Sequence, residues 1–116
     1  MPTSQLDLER RDSGNADIAV IGLNGKLSLE TVHGFVSTMR EEPVPVLILD
    51  MSKCSFLDSA GVGALVSLFV SRRNHGKKMS LAGLTSQGQA VMQVSGLIKL
   101  LPLYPLVEDA VAAVGK

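Results

Sequence analysis

The sequence has no tryptophan, one tyrosine, three phenylalanines and a single cysteine. So few aromatics leave the core to Val, Leu, Ile and Ala, and remove the stacking residues that nucleic-acid binders interleave with basic ones. The lone Cys54 cannot close an internal disulfide, which fits a reducing compartment, and it reads as a small filler in or near the core. One cysteine and two separated histidines, His33 and His75, do not make a metal set. No apolar run approaches the ~20 residues of a membrane span. The opening MPTSQLDLERR lacks the basic and apolar regions of a signal peptide, so the expected location is the cytoplasm. Charge of one sign is missing too: 11 Lys and Arg face 11 Asp and Glu. That balance gives no argument for nucleic acid or an anionic membrane as partner. There is no repeat, linker or low-complexity stretch. The 116 residues are expected to form one domain, with its core at about residues 4–114.

What is present is an alternation of strand and helix signals. Ser4–Arg11 sets Leu6 and Leu8 against Gln5, Asp7 and Glu9, the period of a half-buried strand. Asp12–Asn15 supplies turn residues, and Ile18–Leu23 then reads as a buried strand completing a hairpin. Asn24-Gly25 is a tight-turn dipeptide, with Leu27 as a brief edge pairing. A helix follows to about Arg40, with Ser28 as its N-cap and Val32, Phe35, Val36 and Met39 as its apolar stripe. Pro43 and Pro45 bracket the strand Val46–Leu49. Arg72–Lys78 is rich in basic residues and reads as a cation-favouring helix end closed by Gly76, before a strand at Met79–Leu81. A short helix at Ser86–Ser95 points Val91, Met92 and Val94 inward. An edge strand at Leu100–Tyr104 and a helix after Pro105 complete the chain. The order β-β-α-β-α-β-α-β-α predicts an α/β domain with a mixed sheet of four to five strands and about four helices.

The centre of the chain is Cys54–Gly63, CSFLDSAGVG. It lies between the strand Val46–Leu49 and a helix beginning at Ser59. Asp58 or Ser59 can cap the first N–H groups of that helix, and the same groups tolerate an anion such as a phosphate. Stepping 100° per residue sends Val62, Leu65, Val66, Phe69 and Val70 to one side. Ala60, Ala64, Ser67, Leu68 and Ser71 fall on the other. No residue from Ser59 to Ser71 is charged. Either a partner docks on the small uncharged side, or the helix is buried on both sides by its own domain.

The stretch LILDMSKCSFLDSAGVGAL resembles the signature of the STAS family, in particular the bacterial anti-sigma factor antagonists, where a hydrophobic strand and D-S-[ST]-G-[LV]-G precede a helix. Gly25-Lys26-Leu27-Ser28 stands where that family has G-E-[IL]-D, and Ser95-Gly96-Leu97 matches its late S-G-L, followed by Ile98–Leu101. The resemblance implies a STAS-like fold and a protein that is a substrate of a kinase. Ser59 would be the serine phosphorylated by an anti-sigma factor that doubles as a serine kinase. Asp58, Gly61 and Gly63 match the positions shaping the turn and helix start. Ala60 replaces the family's second Ser or Thr, which leaves one hydroxyl to modify. Lys26 for Glu and Ser28 for Asp are the larger departures, in a loop the family places near the phosphoserine.

An enzyme is not indicated. Asp58, Ser59 and the two histidines hold the letters of a hydrolase triad, but LDSAG is not G-x-S-x-G, and GVGALVS has no lysine for a phosphate loop. No cofactor is expected of this chain; ATP and Mg²⁺ would belong to the partner kinase. The expected role is an anti-sigma factor antagonist, a monomer or weak homodimer. It would bind through Lys26, Ser28, Asp58, Ser59, Ala60, Gly61, Ala64 and Leu68, and a PP2C-type phosphatase would reset it. The alternatives are a STAS scaffold or accessory subunit of a stress-sensing or transport complex, and a structural homo-oligomer.

Overall fold

Along Ile18–Leu23, alternate side chains enter two different cores, which is why the segment is apolar throughout rather than at every second position. Ala19, Ile21 and Leu23 face one, Ile18 and Val20 the other. The computed structural model describes residues 6–96 and 99–114. Ser4 and Gln5 of the expected first strand, and Leu97 and Ile98 of the S-G-L segment, lie outside the described residues. The elements are β1 (Leu6–Asp12), β2 (Ile18–Leu27), α1 (Val32–Arg40), β3 (Val46–Asp50), β4 (Cys54–Leu57), α2 (Ser59–Asn74), β5 (Lys78–Ala82), α3 (Ser86–Val94), β6 (Leu103–Tyr104) and α4 (Val107–Val114).

The α/β architecture and the hairpin match the expectation. β1 runs antiparallel to β2, Leu6 opposite Gly25 and Asp12 opposite Ala19. β2, β3, β5 and β6 are mutually parallel neighbours, giving a mixed sheet in the order β1-β2-β3-β5-β6. The larger core joins one face of this sheet to α1, α2 and α3, and the smaller joins the other to α4 through Ala110, Val107, Val111 and Val114.

Two local expectations fail around β4. Cys54–Leu57 was not expected as a strand, yet it pairs in parallel with the far end of β2, making a sixth strand among the described residues. Four residues carry too little period to announce a strand, and this one exists through partners far back in sequence. The Ser55 hydroxyl donates to Gly25 O at 3.2 Å across a separation of 30 residues. Asn24-Gly25 is correspondingly not a turn. β2 continues through it, with Gly25 at φ +129° and a register shift to Lys26, a glycine-permitted irregularity within the ladder.

Helix α1 begins only at Val32, and Ser28, the expected N-cap, does not cap it. Thr31 does the local work: its Oγ1 accepts from Ser28 N–H at 3.0 Å and donates to Lys26 O at 2.7 Å. The far end of α2 is as expected. Gly76, at φ +73°, lets its N–H reach Arg73 O at 3.0 Å while Lys77 N–H reaches Arg72 O at 2.8 Å, the paired hydrogen bonds of a glycine-terminated helix. Arg72 itself is buried. Its guanidinium donates to Lys78 O at 3.1 Å, Glu42 O at 3.3 Å and Val44 O at 2.7 Å, tying α2 to the start of β5 and the approach to β3. In α3, Met92 is buried but Val94, expected inside, is 90% exposed at the helix's last residue.

Candidate functional site

The loop after β2 and the junction between β4 and α2 are held together by one side chain. Asp58 has the extended backbone of an N-cap residue, and its Oδ1 accepts from Gly61 N–H at 2.8 Å. Its Oδ2 accepts from Leu29 N–H at 3.1 Å, and its own N–H points at Leu27 O at 3.4 Å. Of the two residues that could cap α2, it is therefore Asp58 that does. Ser59 is left as the first helical residue, exposed to solvent.

The motif glycines have different reasons. A Cβ at Gly61 would collide with Leu27 O and stand 2.7 Å from Leu57 Cδ1, so the first turn of α2 touches the end of β2 because residue 61 has no side chain. At Gly63 a Cβ would meet nothing within 4 Å. This glycine weakens the helix by ~1 kcal/mol relative to Ala with no packing among the described residues to require it.

The expected partner face of α2 needs correction. Ala64 is 8% exposed and Leu68 2%, and both belong to the main core. Phe69 and Val66, expected inside, are only partly buried. The accessible positions are Ser59, Gly63 and Ser67, flanked by Val66 and Val70. The helix carries no charge from Ser59 to Ser71, and α1 packs on it beside a groove whose lining mixes Val32, Val36, Ala60 and Ala64 with Ser37, Arg40, Glu41 and Ser67. With two layers to face, sheet and neighbouring helix, α2 buries a wider arc than one stripe. The second option, burial on both sides by the domain, holds for Ala64 and Leu68, while Ala60 stays half-exposed.

Ser28 also moves out of the accessible set. It is 4% exposed, and its hydroxyl has no hydrogen-bond partner among the described residues. A buried unpaired hydroxyl opposes folding by about 1–3 kcal/mol, so Ser28 is a locally unfavourable choice that the turn tolerates. Lys26 is exposed on β2, opposite Phe56 of β4.

Two residues absent from the expected set join the site. Leu29, the N–H partner of Asp58, is 74% exposed, and Phe56, two residues before Asp58, is 41% exposed. Large exposed apolar side chains close to the capping aspartate are the kind of surface that partners cover. Leu29 follows Ser28 in a short turn whose orientation depends on Asp58. Its exposure was not readable from any period.

A family model described as the STAS domain matches residues 10–110. The chain belongs to the STAS domain family. Over 98 residues this STAS domain is 24% identical to an anti-sigma-B factor antagonist of Listeria monocytogenes, covering 84% of this chain and 86% of the relative. Among solved structures it is similar to an anti-sigma factor antagonist from Mycobacterium paratuberculosis, with TM-score 0.85, 20% identity and coverage of 99% and 98% of the two chains. It is also similar to the Bacillus cell fate determinant SpoIIAA in its phosphorylated form, at TM-score 0.67, 23% identity and coverage of 93% and 99%. A sulfate transporter family protein from Wolinella succinogenes gives TM-score 0.75 at 20% identity, covering 85% of each chain. At these identities the solved structures establish the shared fold of this STAS domain.

Proposed function

We propose that this STAS domain is an anti-sigma factor antagonist, acting in the cytoplasm by partner switching. Unmodified, it binds an anti-sigma factor and frees the sigma factor. Phosphorylation of Ser59 by the same anti-sigma factor, acting as a serine kinase with its own ATP and Mg²⁺, ends the binding, and a PP2C-type phosphatase restores it. The observation that carries this reading is the exposed Ser59 at the first position of α2, beside an Asp58 that also anchors the exposed Leu29. A phosphate there brings about −1.5 to −2 charges and finds the positive end of a helix, so the fold accepts it. A docked partner would have to desolvate that dianion. The contact surface is Lys26, Leu29, Phe56, Asp58, Ser59, Ala60 and the Gly63–Ser67 side of α2. Lys26, where the family has an acid, would pair with the phosphate and favour the modified state.

The similarity to a sulfate transporter family protein supports a second reading, a STAS scaffold or accessory subunit using the same surface without a sigma factor. Intact-mass spectrometry with peptide mapping of the protein from its native host separates them. An addition of roughly 80 Da on Ser59, absent from Ser59→Ala, together with partner capture lost in Ser59→Asp, is the expected result. No phosphate under any growth condition would overturn the switch and favour the scaffold.

A further inference from the structure

From Ser59 to Val107 the chain contains no Asp or Glu, so the zero net charge conceals a segregated distribution. Four of the five basic residues in that segment, Arg72, Arg73, Lys77 and Lys78, gather at the end of α2 opposite to Ser59, about 20 Å away along the helix at 1.5 Å per residue. There, where the C-terminal ends of α1 and α2 meet the start of β5, lies a concavity of about 270 Å³ lined by Arg40, Ser71, Arg72, His75 and Lys77, with Glu42 in its wall.

The charges of this concavity are unevenly matched. Glu42 is already engaged by Arg10, through Nε to Oε1 at 2.9 Å and Nη2 to Oε2 at 3.4 Å. Arg72 is fixed in place by three bonds to main-chain carbonyls, which hold a guanidinium without neutralising it. Three of its five N–H bonds are so used, leaving donors to spare. The side chains of Arg40 and Lys77 have no hydrogen bond or ion pair among the described residues. His75 Nδ1 lies 2.8 Å from Ser71 O, so it carries the proton and donates, and the other ring nitrogen is left available. Against these groups the two helix ends contribute roughly half a negative charge each. Three permanent cations therefore exceed what the helix ends require.

We propose that this concavity is a binding site for a small phosphate-bearing anion, distinct from the Ser59 surface. The volume lies just below that of pockets for drug-sized ligands, which suits a pyrophosphate group or a small phosphorylated metabolite. Guanidinium and ammonium groups lining one concavity are the recognition chemistry of phosphate oxygens. Without interleaved aromatics the site offers nothing to stack successive bases, so a nucleic-acid strand is a poor occupant.

The test is a two-dimensional amide NMR titration of the full chain with inorganic phosphate, pyrophosphate and tripolyphosphate, at ionic strength held constant with potassium chloride. The expected result is saturable shifts confined to Arg40 and Ser71–Lys78, with affinity rising along the series and falling at least tenfold in the Arg40→Gln/Lys77→Gln variant. Both substituted side chains are at the surface, and an unchanged spectrum elsewhere verifies the variant's fold. Absence of saturation below about 10 mM, equal binding by the variant, or shifts centred on Ser59 would each overturn the proposal. So would a hexaglutamate peptide binding as tightly as tripolyphosphate, which would assign the surface to an acidic protein segment instead.

Discussion

Leu57 and Gln87 face each other through two hydrogen bonds. Leu57 N–H donates to Gln87 Oε1 at 3.0 Å, and Gln87 Nε2 donates to Leu57 O at 2.8 Å. A side-chain amide thus takes the place of a neighbouring strand and closes β4 immediately before Asp58 and Ser59. Replacing Gln87 with Ala leaves a half-buried backbone pair without partners, and the expected loss is about 1–3 kcal/mol in urea unfolding. Amide hydrogen exchange at Leu57 should quicken more than exchange in β3. Glu at this position lacks the donor for Leu57 O and is expected to be no better than Ala. A Gln87→Ala protein of wild-type stability would show that water replaces the amide without cost.

The two glycines of the Asp58–Gly63 motif should respond in opposite directions. Gly61→Ala places a methyl group against Leu27 O and is expected to cost several kcal/mol or unfold the start of α2. Gly63→Ala enters open space and should stabilise by about 0.5–1 kcal/mol, the ordinary helix preference. Thermal unfolding of the pair decides it. A bulkier Gly63→Leu protein that is equally stable but binds its partner more weakly would locate the contact on this side of α2.

Leu68 and Leu29 separate folding from docking. Leu68→Ala removes a fully enclosed core side chain and should cost about 2–5 kcal/mol. Leu29→Ser, on a residue 74% exposed, should change stability by less than about 0.5 kcal/mol. Under the proposed function it should weaken partner capture at least tenfold, read by isothermal titration. Equal binding by Leu29→Ser would remove that residue from the interface.

Acid should unfold the domain through two carboxylates. The Arg10 hydrogen bond, opposed by burial and helped by Val44 N–H, holds Glu42 below the usual range. Burial raises Asp50, but Ser52 and Arg11, whose Nη2 lies 2.8 Å from Oδ2, together bring it below. Because both values are depressed in the folded state, the stability they contribute is complete above the unfolded values near pH 4. It is lost as pH falls through the folded values below that. Glu42→Gln should flatten the stability curve over this acid range and leave its shape near pH 7 unchanged. A curve as steep as wild type would place the acid sensitivity elsewhere.

The sequence alone determined what depends on near neighbours. The β1–β2 hairpin, the alternation of strands and helices, Asp58 as a candidate cap and Gly76 as the end of α2 follow from period, turn chemistry and left-handed glycine, all within a few residues. The STAS signature was legible for the same reason. Only the tertiary structure decided how α2 is rotated, because a helix without charges from Ser59 to Ser71 gives no charged face to orient it, and the main core took in Ala64 and Leu68. Tertiary contacts also created β4, whose four residues need Gly25–Leu27 and Gln87 to be a strand, and buried Ser28 while turning Leu29 outward. The same holds for Arg72. Its basic character was visible, but the three carbonyls that anchor it come from the α1–β3 connection (Glu42 and Val44) and the start of β5 (Lys78), and their convergence is a property of the fold.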